Sequence, residues 1–143
     1  MSTTEQLKHV LANTFVLYMK SFHVHWNMED KRFYFLHRML EEEYLQLAEF
    51  IDTIAERIRQ KGSFAPSSLR EILKLSQLTE TETVESADKM LQDLKATYEK
   101  ALPFVHALTE SAGKDGDYAT QDIMIEFSRF IEKTLWILKS HMN

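Results

Sequence analysis

The fold is decided by the stretch from residue 23 to residue 62, HVHWNMEDKRFYFLHRMLEEEYLQLAEFIDTIAERIRQKG. Its first five residues end one helical pattern, and the polar run Glu29-Asp30-Lys31-Arg32 indicates a turn. A second helical pattern follows and ends at Gly62, a residue that is common just past a helix end. The stretch therefore predicts an antiparallel helical hairpin, with helices over about Thr3–Asn27 and Phe33–Lys61.

The row of inward-facing residues on the first helix leads directly to His25. Ser2-Thr3-Thr4-Glu5 has the form of a capping box, in which Ser2 caps the helix and Glu5 reaches back. Side chains at spacings of three and four then predict one buried stripe. The stripe comprises Leu7, Leu11, Thr14, Tyr18, Phe22 and His25.

Three further helices are predicted after the hairpin. Leu69–Leu75 follows Ser67 and Ser68, either of which can cap a short helix. A third long helix is expected over about Thr83–Ser111, kinked or broken at Pro103, and a fourth over about Tyr118–Ser140 after the turn signal of residues 113–116, GKDG. We therefore predict that residues 1–143 form a single all-α domain. Its expected fold is a four-helix bundle with a short extra helix in the long crossover between helices 2 and 3.

The composition excludes several classes of protein. Of 143 residues, 44% are hydrophobic and 27% charged, with 3 Gly and 2 Pro, and there is no Cys, which rules out disulfides and thiolate sites. There is no signal-peptide pattern and no apolar run near the ~18 residues of a membrane span, so we expect a soluble, cytoplasmic protein. The net charge of −5 argues against tight binding to nucleic acid phosphates.

Two pairs of potential metal ligands lie on one stripe of the second helix. His37 and Glu41 are four residues apart, as are Asp52 and Glu56, so each pair converges on one face. A single histidine on an apolar helix face is more often a core residue than a ligand, and a single pair of acids is usually only solvated. Neither feature alone would indicate a metal site. Together with His25, which the hairpin places level with His37, the spacings favour metal binding.

The two pairs are too far apart to bind one ion within a single chain. Their centres are separated by fifteen residues, which is roughly 22 Å at ~1.5 Å of rise per residue. A second copy of the helix, packed antiparallel about a two-fold axis near Gln46 and Leu47, would bring the first pair of one chain to the second pair of the other. The spacing predicts a two-fold dimer with two identical sites.

The ligand set of each site would be His25, His37 and Glu41 from one subunit with Asp52 and Glu56 from its two-fold partner. Imidazole and carboxylate ligands together suit Fe(II), with Zn(II), Mn(II) or Co(II) as competitors. Di-iron bundles that build the site within one chain use Glu-x-x-His, and no His here has a Glu three residues before it.

These residues resemble the signature of the Dps family, the miniferritins, which have a ferritin-like bundle. The resemblance rests on His25-Trp26-Asn27, His37, Glu41 and the run DTIAERI over residues 52–58, with a weaker match in the fourth helix. It implies a ferroxidase, a hollow dodecamer built from two-fold dimers that oxidises Fe(II) with hydrogen peroxide or oxygen, stores ferric mineral and protects against oxidative stress. The same five residues would form the ferroxidase centre.

This chain departs from the family pattern at several positions. Glu41 stands where the family often has Asp, and Asp30 stands where it often has Gly. Many DNA-binding members have a Lys-rich N-terminal tail, whereas the first basic residue here is Lys8. We therefore expect little DNA binding.

Other residues have a structural and a functional interpretation. Trp26 either packs at the hairpin mouth or donates electrons near the iron as a radical sink. The acids at the start of the fourth helix either favour its macrodipole or form a negative pore that attracts Fe(II). Those acids are Asp117, Asp122 and Glu126.

Two other functions remain open at this point. A nucleoid-type DNA-binding protein with little iron chemistry would shift DNA in a gel at low salt, with or without divalent metal. A purely structural helical dimer would contain no metal when purified without chelator.

Overall fold

The computed structural model describes residues 1–142, and within them the chain forms five helices. These are α1 (Thr3–Asn27), α2 (Phe33–Gln60), α3 (Leu69–Leu75), α4 (Ala87–Lys114) and α5 (Tyr118–His141). Helix α1 packs against α2 and α4, α4 packs against α5, α2 contacts α5, and α3 lies on α1. The predicted four-helix bundle with a short helix in its crossover is confirmed. Within residues 1–142, no helix combines the length and apolar character that crossing a membrane demands.

Serine side chains begin three of the helices. Ser2, Ser68 and Ser86 each accept a hydrogen bond from the backbone N–H three residues later, at 3.1, 3.2 and 3.3 Å. Each bond satisfies a donor that has no partner within the helix. Of the predicted capping box at α1, the structure shows the bond to the Ser2 side chain. The Glu5 carboxylate lies 3.4 Å from Lys8 Nζ.

The predicted bounds of α4, Thr83 to Ser111, were wrong at both ends. Ser86 has an extended backbone, with φ of −60° and ψ of 153°, so it caps the helix and residues before it lie outside. At the other end the helix continues to Lys114, before Gly116 with φ of +71°. The helix does not break at Pro103, an exposed residue where water can satisfy the carbonyl that lacks a donor.

The buried face of α1 is wider than the predicted stripe. Leu7, Leu11 and Thr14 are fully buried, but Tyr18 and Phe22 are half-buried. The reason is that α1 is covered by both α2 and α4, so further positions face the core. These are Val10, Leu17, Ser21 and Val24, among others.

Asp30 closes the turn between α1 and α2. Its carboxylate accepts hydrogen bonds from the Arg32 backbone N–H at 2.8 Å and from the Arg32 guanidinium at 2.8 and 2.9 Å. These bonds lower the pKa of Asp30 to about 2. Arg32 also reaches Asp88 on α4 at 2.8 Å, so the turn is tied to the bundle without a glycine.

Glu43 is a carboxyl group buried in the core of the bundle. It accepts hydrogen bonds from the Tyr98 hydroxyl at 2.7 Å and from the Ser21 hydroxyl at 3.1 Å. Burial raises the pKa of Glu43 to about 7, against the lowering effect of these two bonds. The folded protein therefore holds this proton at a pH where an unfolded chain would release it.

We expect the free energy of unfolding to fall between about pH 4.5 and pH 7 because of Glu43. The pKa of Glu43 is raised on folding, so its stabilising contribution is complete below the unfolded pKa of 4.5 and is lost as the pH rises through the folded pKa of about 7. The expected loss in the free energy of unfolding across this pH range is about 3 kcal/mol. Glu43→Gln should flatten this slope, as measured by thermal unfolding at pH 5 and pH 8. The exposed neighbour provides the control Glu42→Gln, and parallel pH profiles for wild type and Glu43→Gln would contradict this account.

Candidate metal centre

His25 and His37 face each other across the hairpin and hold each other in place. His25 Nδ1 donates to the His37 carbonyl oxygen at 2.8 Å, and His37 Nδ1 donates to the His25 carbonyl oxygen at 2.8 Å. The two rings stack with centroids 3.6 Å apart and an angle of 8° between their planes. The prediction that the hairpin brings both imidazoles to one level is confirmed.

The two reciprocal bonds determine which nitrogen of each ring is free. A backbone carbonyl can only accept, so each Nδ1 carries the proton. In a neutral imidazole this leaves Nε2 of each ring with a lone pair. Such a bond from the second ring nitrogen is the usual way in which proteins orient a histidine that binds a metal. Each ring therefore has an unprotonated Nε2, which is the form that binding a metal would require.

Aromatic neighbours restrict the imidazoles further. Phe33 stacks on His37 at 4.8 Å, and Tyr44 meets His25 edge-on at 5.1 Å. Desolvation raises the pKa of Tyr44, and the negative charge of Glu41 adds to this effect. Glu41 thus acts electrostatically on the ring that contacts His25, and the predicted histidine half of the site comprises His25, His37 and Glu41.

Asp52 and Glu56, the predicted acidic half of the site, lie further along α2. Both are exposed, and α2 is continuous from Phe33 to Gln60, so the separation of roughly 22 Å from the His37 pair stands at ~1.5 Å per residue. Within residues 1–142 of one copy, no three His, Asp or Glu side chains are grouped closely enough to hold a metal. The structure brings the two histidines together and leaves the acidic pair apart from them.

The acidic half borders an apolar surface. Asp52 lines a cavity of about 330 Å³ between α1, α2 and the segment leading into α3, and most of the other lining residues are apolar. Met19 on α1 and Leu69 and Leu73 on α3 line a neighbouring apolar groove, and all three are exposed, as is Leu45 on α2. Exposed apolar residues at this density are typical of a surface that another chain covers.

Trp26 continues the aromatic row beside the histidines. It is 60% exposed and stacks on Phe22 at 4.6 Å, and Phe22 in turn packs on Tyr44 at 4.4 Å. The predicted packing at the hairpin mouth therefore covers one face of the indole. His23 points elsewhere, with Nε2 bonded to the Thr83 carbonyl at 3.0 Å.

The three acids of the predicted pore have different surroundings. Asp117 caps α5 through the Thr120 N–H at 3.2 Å and accepts from Arg57 at 2.7 Å and Lys61 at 2.6 Å. Although burial raises it, the pKa of Asp117 stays well below its usual range because of bonds from Lys61, Thr120 and Arg57. Asp117 thus joins the end of α2 to the start of α5, whereas Asp122 and Glu126 are exposed.

Two polar groups of the structure were not predicted from the sequence pattern. Glu43 lies at a spacing of three or four from Leu40 and Leu47 on the core stripe of α2, so its burial could have been predicted. The Asp117 network joins residues sixty positions apart, and no local pattern indicates it.

Comparison with known proteins shows similarity along nearly the whole chain. A family model described as "Ferritin-like domain" matches residues 4–143. The "DNA protection during starvation protein" of Helicobacter pylori is 32% identical over 143 residues, covering 99% of this chain and 99% of that protein. "Antigen TpF1" of Treponema pallidum is 35% identical over 135 residues, covering 94% of this chain and 76% of that one.

Solved structures resemble the whole subunit. The X-ray structure of Dps from Listeria monocytogenes superposes with a TM-score of 0.95 at 30% identity, covering 99% of this chain and 94% of the other. The crystal structure of antigen TpF1 from Treponema pallidum gives a TM-score of 0.94 at 33% identity, with coverage of 99% and 91%. The bundle, its crossover and its short α3 are thus shared over nearly the full length.

Proposed function

Because the chain belongs to the ferritin-like family, and within it to the Dps proteins, we propose that it oxidises Fe(II) at sites shared between two subunits. Membership supports a miniferritin role in iron storage and DNA protection in general terms. The finer proposal is a ferroxidase that takes ferrous ions as substrate and keeps the ferric product inside a hollow homododecamer. We also propose that residues 1–143 form one domain, since the family model spans residues 4–143.

The observation that carries this proposal is the reciprocal bonding of His25 and His37. It leaves two Nε2 lone pairs free on one subunit, with Glu41 one turn further along α2, while residues 1–142 of that subunit group no three such side chains closely enough to hold a metal. Asp52 and Glu56, which lie on the same stripe of α2 and beside an apolar surface, complete the set if a two-fold partner covers that surface. Mixed nitrogen and oxygen ligands suit Fe(II) and leave Zn(II), Mn(II) and Co(II) as competitors.

The proposed residues have separate roles in the reaction. The imidazoles bind ferrous ion as neutral ligands, and the carboxylates of the partner subunit offset its charge and that of the ferric product. Hydrogen peroxide accepts two electrons, one from each of two ferrous ions, and with two protons it yields two waters. Trp26, which follows His25 in the chain and stacks on Phe22, would supply an electron to a stray one-electron oxidant. Peroxide consumed in this way does not generate hydroxyl radical.

The entry route is a further part of the proposal. Asp122 and Glu126 are exposed on the first turns of α5, and a ring of such acids around a three-fold axis would attract Fe(II). Asp117 is already paired with two cations. We therefore assign the attraction to Asp122 and Glu126, and to Asp117 the positioning of the helix that carries them.

We propose that any protection of DNA is chemical rather than by coating. The relatives are named for DNA protection, but this chain has a net charge of −5, which disfavours binding to phosphates. A gel shift at low salt, with and without divalent metal, should show little binding. Retarded DNA would favour the alternative, a nucleoid-type protein.

The proposed activity is tested by anaerobic titration of the protein with Fe(II) and hydrogen peroxide. We expect two ferrous ions to be oxidised for each peroxide, and sedimentation should then show a dense particle with the mass of about twelve subunits. A wild-type protein that sediments as a monomer, or that oxidises Fe(II) no faster than buffer, would refute the proposal. Glu110→Ala, which removes an exposed carboxylate on α4, a helix that carries none of the proposed ligands, provides a control that should leave the rate unchanged.

A further inference from the structure

Phe64 is an exposed aromatic ring in the segment that follows α2. It is 79% exposed, yet its position is defined, because the Arg59 guanidinium lies 4.4 Å from the ring centroid. Gly62 has a φ of +87° and reverses the chain, and Arg59 donates to the Ser63 carbonyl at 3.1 Å. Phe64 therefore lies back beside Arg59 rather than beyond the end of the helix.

The reversed segment lies on the same face of the subunit as Asp52. Ala65 and Pro66 line the cavity that Asp52 and Phe15 also line. Phe15 belongs to the row on α1 that continues through Phe22 to Trp26, because these residues are spaced by seven and four. Phe64 and Trp26 are thus exposed rings on one face, at opposite ends of the hairpin.

Within one subunit the two rings cannot meet. The bonds between His25 and His37 set Trp26 level with residue 36 of α2, whereas Phe64 lies level with Arg59. The separation along the helix is about 35 Å at ~1.5 Å of rise per residue. A contact with Trp26 must therefore come from another chain.

The two-fold arrangement of the proposed metal site brings these rings together. Turning α2 end for end about the point between Gln46 and Leu47 places residue 59 of one copy level with residue 34 of the other. Trp26 is level with residue 36, so the offset along the helix is only about 3 Å. A two-fold axis that lies in this face, at right angles to α2, reverses the direction of α2 but leaves α1 on the same side of it. The α1 side of one copy therefore packs against the α1 side of the other, and both rings lie on that side.

We infer that Phe64 of each subunit packs on Trp26 of the partner subunit and covers the histidine half of the shared site. This inference rests on the proposed two-fold ferroxidase site and adds a contact that no metal ligand makes. The indole is already stacked on Phe22 on one face, and the ring from the partner would cover the other face, in a geometry that aromatic pairs favour. It would also keep water away from the side of the site where Trp26 can donate an electron.

Tryptophan fluorescence tests this contact directly. The chain has 2 Trp, so Trp136→Phe leaves Trp26 as the single emitter. In that background Phe64→Ala should shift the emission to the red and increase quenching by acrylamide, whereas Phe64→Tyr should leave both unchanged. The control Phe35→Ala removes another exposed ring, which contacts His141 on α5, and should not change the emission.

A rescue experiment shows whether the ring comes from the partner. Chains with Trp136→Phe and Phe64→Ala are co-assembled with an excess of chains with Trp26→Phe and Trp136→Phe, which contain no tryptophan but keep Phe64. The blue-shifted emission should return. An assembled, iron-oxidising protein whose Trp26 emission is insensitive to Phe64, or whose emission is not rescued, overturns this inference alone. A protein that sediments as a monomer overturns both it and the proposed function.

Discussion

Asp52→Ala is expected to abolish rapid ferrous oxidation while leaving the subunit folded. Asp52 is exposed in one copy, so its loss should act on the metal rather than on the packing of the bundle. Removal of a supporting residue already costs a metal site roughly 10–100-fold in affinity or activity, and removal of a ligand should cost at least as much. Stopped-flow oxidation of Fe(II) by peroxide measures the effect.

His37→Ala should have the same effect from the other half of the site. It removes one proposed Nε2 ligand and also the hydrogen bond that His37 Nδ1 donates to the His25 carbonyl oxygen. Glu110→Ala, on α4 and exposed, serves as the control for loss of a surface side chain. Retention of wild-type kinetics by either ligand variant, with sedimentation unchanged, would refute the ligand assignment.

Asp117→Ala is expected to destabilise the fold far more than either ligand substitution. It removes the cap of α5 and leaves Arg57 and Lys61 facing each other without a counter-ion. Breaking a largely buried ion pair typically costs about 3–5 kcal/mol, and the side chain of Asp117 is only 8% exposed. We expect a loss of about 3 kcal/mol in the free energy of unfolding, since both cations retain some contact with water.

The matched substitution at Asp122 separates stability from iron entry. Asp122 lies five residues further on and is exposed, so Asp122→Ala should change thermal unfolding little while slowing iron uptake into the assembled shell. Asp117→Asn keeps a cap acceptor and should lie between the two in stability. Equal unfolding temperatures for Asp117→Ala and Asp122→Ala would show that the network around Asp117 contributes nothing.

Helix geometry explains why so much of the site could be predicted from the sequence. His25 and His37 lie six residues on either side of Lys31, and a hairpin with a short turn must place such positions at one level. The separation of the His37 and Asp52 pairs depends only on the rise of one continuous helix. Neither prediction requires knowledge of how side chains pack.

The remaining features depend on packing between distant parts of the chain. The exchange of bonds between His25 and His37 requires the spacing of α1 and α2, which the stripe of Tyr18 and Phe22 does not reveal. The role of Asp30 in the turn depends on its three bonds to Arg32 and on the further contact of Arg32 with α4. The dual pairing of Asp117 joins α2 to α5, and no local pattern carries that information.

The central claim is that each metal site takes its histidines from one subunit and its acids from another. It is tested by mixing the two inactive variants, His37→Ala and Asp52→Ala, unfolding them together and refolding them in equal amounts. In each mixed dimer one site then contains both altered halves and the other site is intact. Random pairing should restore about one quarter of the wild-type oxidation capacity. If the mixture stays as inactive as either variant alone, although sedimentation shows full assembly, the sites are not shared and the account is wrong.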